Sequence, residues 1–127
     1  MPKKRILIID DELDFCRMIK MNLETKGDFN VDFATNSKKG VGLAKKLKPD
    51  LILLDIRMPN VDGFAVLKEL KNSSQTMSIP VVMLTALADM DSQIQAAQLY
   101  TEDYLTKPID TQALKLKIDE VLRRAKF

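Results

Sequence analysis

Three carboxylates, one hydroxyl group and one ammonium group follow short apolar runs in this sequence. They belong to Asp10 and Asp11 after residues 6–9, Asp55 after residues 51–54, Thr85 after residues 81–84, and Lys107 shortly after residues 104–105. Short, unbroken apolar runs are typical of strands buried on both faces of a parallel sheet. Because the carboxyl ends of parallel strands meet at one edge, where ligands bind, we expect these five side chains to converge there.

The mutual repulsion of clustered carboxylates must be offset by a nearby positive charge, because two unit charges about 4 Å apart repel by roughly 4 kcal/mol at an effective dielectric near 20. Lys107 is one candidate for this role. Mg²⁺ is another, since it prefers carboxylate oxygens and often shares phosphate oxygens. A cation, an ammonium and the Thr85 hydroxyl around a carboxylate would suit a phosphoryl group. Asp55 would then be the nucleophile, forming an acyl phosphate.

The elements that must position these groups alternate along the chain. About five strands are separated by segments of helical periodicity, with helices expected near residues 13–23, 38–47, 62–71 and 89–99 and from residue 110 onward. Ser37, Asp62 and Asp110 are the expected N-caps of three of them. This alternation predicts an α/β fold with a doubly wound parallel sheet and five helices. The 127 residues suit a single domain, residues 1–127.

Composition narrows the function further. The chain is 46% hydrophobic and 30% charged with a net charge of +2, which favours a globular domain and does not predict binding to nucleic acid or to a membrane. Cys16 is the only cysteine, so no intrachain disulfide can form and a cytoplasmic location is expected. Cys16 itself is expected in the core. The sequence contains no histidine, which excludes a phosphohistidine carried by this chain.

Together these motifs resemble the receiver domain of bacterial two-component response regulators, and in particular the single-domain chemotaxis receiver. The resemblance covers about residues 5–124 and rests on Asp10-Asp11, Asp55 with Pro59 and Gly63 after it, Thr85-Ala86, and Tyr104 through Pro108. It implies a flavodoxin-like fold with a five-stranded parallel sheet of order 2-1-3-4-5. It also implies a cis peptide bond between Lys107 and Pro108. Before a proline, the cis form costs only about 0.5–1 kcal/mol relative to trans.

The resemblance assigns a role to each motif residue. Asp55 resembles the phosphoacceptor, and Lys107, Thr85 and the Ala86 amide resemble the groups that contact the phosphoryl oxygens. Mg²⁺ would be held by Asp55, Asp11, Asp10 through a water, and the backbone carbonyl of Arg57. Tyr104 resembles an aromatic switch that turns inward when Thr85 moves.

The same resemblance implies partners. The phosphoryl donor would be a sensor histidine kinase or a histidine phosphotransfer protein, and the receiver would not be an enzyme beyond its own phosphorylation and dephosphorylation. Phosphorylation would alter a binding face within residues 89–124. That face would serve a downstream protein, a covalently linked output domain or a phosphorylation-dependent homodimer, with no membrane and no direct nucleic-acid contact by this domain.

Two other functions use similar residues. An aspartate-nucleophile phosphohydrolase of the haloacid dehalogenase type needs a second aspartate two positions after the nucleophile, where this chain has Arg57. A phosphorylation-independent adaptor would not need the acid pair, Asp55, Thr85 and Lys107 together. Each residue alone also has a structural explanation, such as helix capping by Asp10 and Asp11. Their joint occurrence at four strand ends favours the receiver function.

Overall fold

The computed structural model describes residues 3–25, 27–59, 61–86 and 103–125. Its strands are β1 (Lys4–Ile9), β2 (Phe29–Ala34), β3 (Leu51–Asp55), β4 (Arg57–Met58), β5 (Val61–Asp62), β6 (Val81–Ala86) and β7 (Asp103–Lys107). Its helices are α1 (Leu13–Thr25), α2 (Ser37–Leu47), α3 (Gly63–Lys71) and α4 (Thr111–Arg124). The helix expected at residues 89–99 lies outside the described residues. Among the helices within those ranges, none has both the length and the apolar character needed to cross a membrane.

Five of these strands form one parallel sheet in the order β2-β1-β3-β6-β7. These are the five strands expected from the sequence, so the predicted order 2-1-3-4-5 is confirmed. β4 and β5 form a separate antiparallel pair, in which Arg57 is opposite Asp62. No pattern in the sequence indicated this short hairpin, which connects the end of β3 to the start of α3.

The sheet is covered on both faces, which explains why its central strands are apolar throughout. Successive side chains of a strand point to opposite faces. Leu7 and Ile9 therefore pack in the cluster that contains residues of α2 and α3, whereas Ile6 and Ile8 pack in the cluster that contains residues of α1 and α4. All four side chains are fully buried. The sheet therefore lies between two helical layers.

The helix starts agree with the predicted caps at two of three positions. Asp62 accepts from the backbone N–H of Phe64, and Asp110 accepts from that of Ala113. The prediction for α2 was wrong by one residue: Asn36 is the N-cap, and its side chain accepts from Lys39 N–H. Asn36 has the extended backbone that an N-cap requires, whereas Ser37 is already helical.

The outer edge of β2 is covered by two side chains of α1. Lys20 Nζ donates to the carbonyl of Val31 at 2.7 Å, and the Val31 N–H donates to Glu24 at 2.9 Å. Lys20 and Glu24 also pair with each other at 3.0 Å. The hydrogen bond from Val31, followed by the one from Lys20, lowers the pKa of Glu24. The two side chains thus satisfy both polar backbone groups of Val31.

Candidate functional site

The sheet brings the chemically reactive residues to one edge, as the sequence predicted. Asp10 directly follows β1, Asp55 is the last residue of β3, and Lys107 is the last residue of β7. Thr85 lies in β6, one position beyond Leu84, which pairs with Asp55. These four residues come from four neighbouring strands, so the parallel topology alone accounts for their convergence.

Three carboxylates form the centre of the site. Asp10, Asp11 and Asp55 each offer one oxygen, and these three oxygens lie within 4.8 Å of one another. Asp10 is 0% exposed and Asp55 is 6% exposed. Burial, reinforced by the charge of Asp10, raises the pKa of Asp55 to about 7. Burial also raises the pKa of Asp10, although the hydrogen bond from Lys107 opposes this shift.

This donor set fits a divalent cation. The ligand atoms are all oxygens and they lie close together, and burial disfavours the charged forms of Asp10 and Asp55, so a bound cation would stabilise the charged site. Within the described residues, Lys107 is the cation that contacts Asp10 and Asp55. Lys107 brings one positive charge to a cluster of three acids, which leaves a net negative charge for a metal ion to neutralise.

Lys107 lies nearer to Asp10 than to Asp55. Its Nζ is 2.8 Å from Asp10 Oδ2, 3.1 Å from Glu12 Oε1 and 4.0 Å from Asp55 Oδ2. The ammonium also lies 4.3 Å from the centroid of the Phe15 ring, a cation–π contact. Burial lowers the pKa of Lys107, but the hydrogen bond and charge of Asp10 outweigh it and leave the pKa above its usual value. Lys107 therefore remains charged.

The backbone around Asp55 is fixed by its neighbours. The N–H of Arg57 donates to Asp55 Oδ1 at 3.2 Å, which orients the carboxylate. The N–H of Ile56 donates to the carbonyl of Leu84 at 3.0 Å, and the N–H of Gly63 donates to the carbonyl of Ile56 at 2.8 Å. The strand end that presents Asp55 is thus held by both β6 and the start of α3.

A recess of about 190 Å³ opens beside Asp55. It is lined by Glu12, Asp55, Ile56, Arg57, Leu84, Thr85, Ala86 and Lys107. Thr85 is only 1% exposed, and its hydroxyl donates to the Ala86 carbonyl at 3.2 Å. The recess therefore combines a carboxylate, a hydroxyl and an ammonium around a space open to a small ligand.

Tyr104 is placed on the strand next to Thr85. In the β6–β7 register, Tyr104 pairs with Met83 and Thr85 pairs with Thr106. Tyr104 and Thr85 are therefore two positions apart on adjacent strands and on the same face of the sheet. Tyr104 is 40% exposed, so its ring is not buried in this structure.

Cys16 lies next to the backbone of Asp10 and belongs to the core, as the sequence predicted. Its Sγ donates to the backbone carbonyl of Asp10 at 3.4 Å, and the side chain is fully buried. Burial, followed by the charge of Asp10, raises the pKa of the thiol to about 12. Cys16 is therefore an unreactive thiol that supports the Asp10 backbone.

Two residues of the site had no predicted role. Glu12 contacts Lys107 and lines the recess, and Phe15 lies against the Lys107 ammonium. Glu12 directly follows the acid pair in sequence, which is a signal that could have marked it. Phe15 carries no such signal, because its contact with Lys107 depends on the separation between α1 and the end of β7.

Comparisons with known proteins agree with this geometry. The family model described as "Response regulator receiver domain" matches residues 6–119. A DNA-binding dual master transcriptional regulator, RpaA of Synechocystis, is 43% identical over 120 residues, covering 94% of this chain and 49% of the regulator. The phosphate regulon transcriptional regulatory protein PhoB of Pseudomonas aeruginosa is 38% identical over 95% of this chain and 52% of that protein.

A solved structure gives the same fold. The CheY-like response regulator receiver domain protein of Methanospirillum hungatei superimposes with a TM-score of 0.89 and 26% identity, covering 98% of both chains. The chain spans about half the length of the curated relatives named above.

Proposed function

The chain belongs to the family of response regulator receiver domains, and on this premise we propose that Asp55 is its phosphoacceptor. One observation carries the proposal: the Asp55 carboxylate lines the recess beside two further carboxylates and the Lys107 ammonium. An Asp55 oxygen would attack the phosphorus of a phosphohistidine on a sensor kinase or phosphotransfer protein. The P–N bond breaks, its electron pair and a proton go to the imidazole, and an acyl phosphate remains on Asp55.

We infer that Asp10, Asp11 and Asp55 hold Mg²⁺, with the Arg57 carbonyl as a further ligand. When bound, the ion would neutralise charge on the phosphoryl oxygens. The closeness of the three carboxylates and the raised pKa values of Asp10 and Asp55 support this assignment. The carboxylate of Asp10 would also keep the Lys107 ammonium at the site through their 2.8 Å contact.

The phosphoryl oxygens would be bound by Lys107, Thr85 and Ala86. Lys107 would supply an ion pair, Thr85 its hydroxyl and Ala86 its backbone N–H. All three line the recess with Asp55. In this proposal the domain catalyses only its own phosphorylation and dephosphorylation, and residues 1–127 act as one receiver domain.

The output would follow from a movement of Thr85. A phosphoryl group that recruits the Thr85 hydroxyl would free space on the face it shares with Tyr104, and the exposed Tyr104 ring would turn inward. The altered face would include β7 and α4, where the Asp103 carboxylate accepts a hydrogen bond from Lys117 at 2.8 Å and forms an ion pair with Arg124 at 3.5 Å. A linked output domain, a downstream protein or a second copy would bind there in the cytoplasm.

Intact mass spectrometry tests the acceptor. We expect wild-type protein with Mg²⁺ and acetyl phosphate to gain one labile phosphoryl group, and a metal chelator to abolish the gain. Asp55→Asn, which keeps the size of the side chain and removes the nucleophile, should gain none. Asp14→Asn changes an exposed acid in the first turn of α1 and should be phosphorylated like wild type. Phosphorylation of Asp55→Asn at the wild-type level would refute the assignment.

The switch can be tested through Tyr104. The chain has two tyrosines, so a Tyr100→Phe background leaves Tyr104 as the only tyrosine whose ring signals appear in an NMR spectrum. Acetyl phosphate with Mg²⁺ should shift these signals, and Thr85→Ala should reduce the shift while leaving phosphorylation detectable by mass. Equal shifts in both proteins would exclude coupling through Thr85.

A further inference from the structure

We propose that Glu12 is a positioning residue that holds the Lys107 ammonium away from Asp55 and thereby slows acceptance of the phosphoryl group. The proposal rests on the phosphoacceptor function of Asp55. Lys107 Nζ lies 3.1 Å from Glu12 Oε1 but 4.0 Å from Asp55 Oδ2. The ammonium is thus within hydrogen-bond distance of Glu12 and beyond it for Asp55.

The contacts of Lys107 are limited by its three N–H donors. One donates to Asp10 at 2.8 Å and one to Glu12 at 3.1 Å. The Phe15 ring occupies a further side of the ammonium, 4.3 Å away. A phosphoryl group arriving at Asp55 must therefore compete with Asp10 and Glu12, which together hold two of the three donors and orient the ammonium. Of the two carboxylates, Asp10 is fully buried, whereas the Glu12 side chain is 62% exposed.

Glu12 is the exposed one of the two hydrogen-bonded carboxylate partners of Lys107. Its carboxylate stands at the boundary between the recess of Asp55 and a second recess that includes Phe15, Met18 and Ile109. Both recesses are also lined by Lys107. Loss of the Glu12 charge would weaken the contact of Lys107 with position 12, so the ammonium could turn more readily toward the phosphoryl oxygens.

The test compares Glu12→Gln with Asp14→Asn. Both variants replace an exposed acid by its amide within two residues of each other, but only Glu12 contacts Lys107. Phosphorylation rates are measured by intact mass with excess Mg²⁺, using acetyl phosphate and phosphoramidate in parallel. We expect Glu12→Gln to be faster by about 1.5- to 5-fold with both donors, the range of an exposed ion pair. Asp14→Asn should match wild type.

Two donors are needed because they differ in charge. Acetyl phosphate carries more negative charge than phosphoramidate at neutral pH, so simple repulsion by Glu12 at the mouth of the recess would affect acetyl phosphate more. Release of Lys107 acts after either donor is bound and accelerates both by the same factor. General damage to the fold would slow both reactions, so acceleration separates a positioning role from a structural one.

Each outcome bears on a separate statement. Equal acceleration with the two donors supports the positioning role of Glu12. An unchanged or slower rate, acceleration confined to acetyl phosphate, or equal acceleration by Asp14→Asn would overturn it. Absence of phosphorylation in wild type would refute the phosphoacceptor function itself, and the positioning role with it.

Discussion

The α-carbon of Gly63 lies so close to the backbone of Asp55 that a Cβ on Gly63 would be 2.5 Å from the Asp55 carbonyl oxygen. The same Cβ would be 2.6 Å from the Cα of Ile56. Both atoms belong to the backbone, which cannot rotate away as a flexible side chain would. Glycine at position 63 is therefore required by close approach, because the first residue of α3 rests on the strand end that carries Asp55.

Gly63→Ala should both destabilise the protein and disturb the site. Overpacking of this kind costs about 1–3 kcal/mol, and relief of the clash would move the backbone of Asp55 and Ile56. We expect a lower urea midpoint and a slower gain of mass with acetyl phosphate under conditions where the variant is still folded. A variant with wild-type stability and wild-type phosphorylation would show that the strand end does not depend on this contact.

Replacing each of the two glycines of α2 with alanine should change the stability of the protein in opposite directions. A Cβ on Gly40 would lie 2.8 Å from three side-chain atoms of the fully buried Ile9, whereas a Cβ on Gly42 would meet nothing within 4 Å. Gly42→Ala should stabilise the protein by about 0.5–1 kcal/mol through helix propensity, and Gly40→Ala should destabilise it by about 1–3 kcal/mol.

Chemical denaturation of the two variants measures this difference directly. Gly42→Ala is also the matched control for Gly63→Ala, because it introduces the same methyl group without a clash. Stabilisation by Gly40→Ala would mean that Ile9 and α2 can separate at little cost, contrary to the packing described.

The pH dependence of the free energy of unfolding should reveal the raised pKa of the buried Asp55 carboxyl group. Without Mg²⁺, the pKa of Asp55 is about 7 in the folded protein against 3.8 for an unperturbed group. The folded state therefore binds this proton more tightly than the unfolded state, so the stability that Asp55 contributes is present below about pH 4 and is lost as the pH rises toward 7. Asp55→Asn cannot titrate and retains the oxygen that accepts from Arg57.

In chelator-treated samples, Asp55→Asn should consequently be more stable than wild type at pH 8, by more than about 1 kcal/mol, since one pKa unit corresponds to about 1.4 kcal/mol. The advantage should shrink as the pH falls toward 4. Urea denaturation of both proteins between pH 4 and pH 8 measures it. A stability difference that does not change with pH would mean that Asp55 titrates near its ordinary value.

Mg²⁺ should stabilise the folded protein, because the three-carboxylate site exists only in the folded state. The increase should grow with the logarithm of the ion concentration, reaching about 2.7 kcal/mol at 100 times the dissociation constant. It should be larger at pH 8 than at pH 6, because ion binding must displace protons from the carboxylates. Asp11→Asn should weaken the effect, and NaCl at equal ionic strength provides the control for screening. Equal stabilisation by NaCl would exclude a specific site.

The strands and the core of the site were accessible from sequence because both follow from simple patterns. Three apolar runs predicted the buried strands β1, β3 and β6, and the short run at residues 104–105 marked the partly exposed β7. The parallel topology then brought Asp10, Asp55, Thr85 and Lys107 to one edge. The resemblance to the receiver family is confirmed, as is the cis peptide bond between Lys107 and Pro108. The roles of the site residues remain predictions.

The remaining features depend on distances that one-dimensional patterns do not contain. The β4–β5 hairpin consists of two residues on each side, too short for a periodicity to mark it. Asn36 and Ser37 are both good N-caps, and only the backbone conformation distinguishes them. Gly40 is an unfavourable residue in the interior of a helix, but it provides room for Ile9 against α2. The sharing of Lys107 among three carboxylates likewise required coordinates.

The Lys20–Glu24 pair beside Val31 has a consequence for how this domain can associate. A strand from another chain that added to β2 would need the N–H and carbonyl of Val31, and both are already bonded to side chains of α1. Charged side chains on an open edge are a known protection against such pairing. At Val31, the open edge of the sheet is therefore blocked to a foreign strand, which interrupts the continuous ladder that exposed edges need to nucleate aggregates.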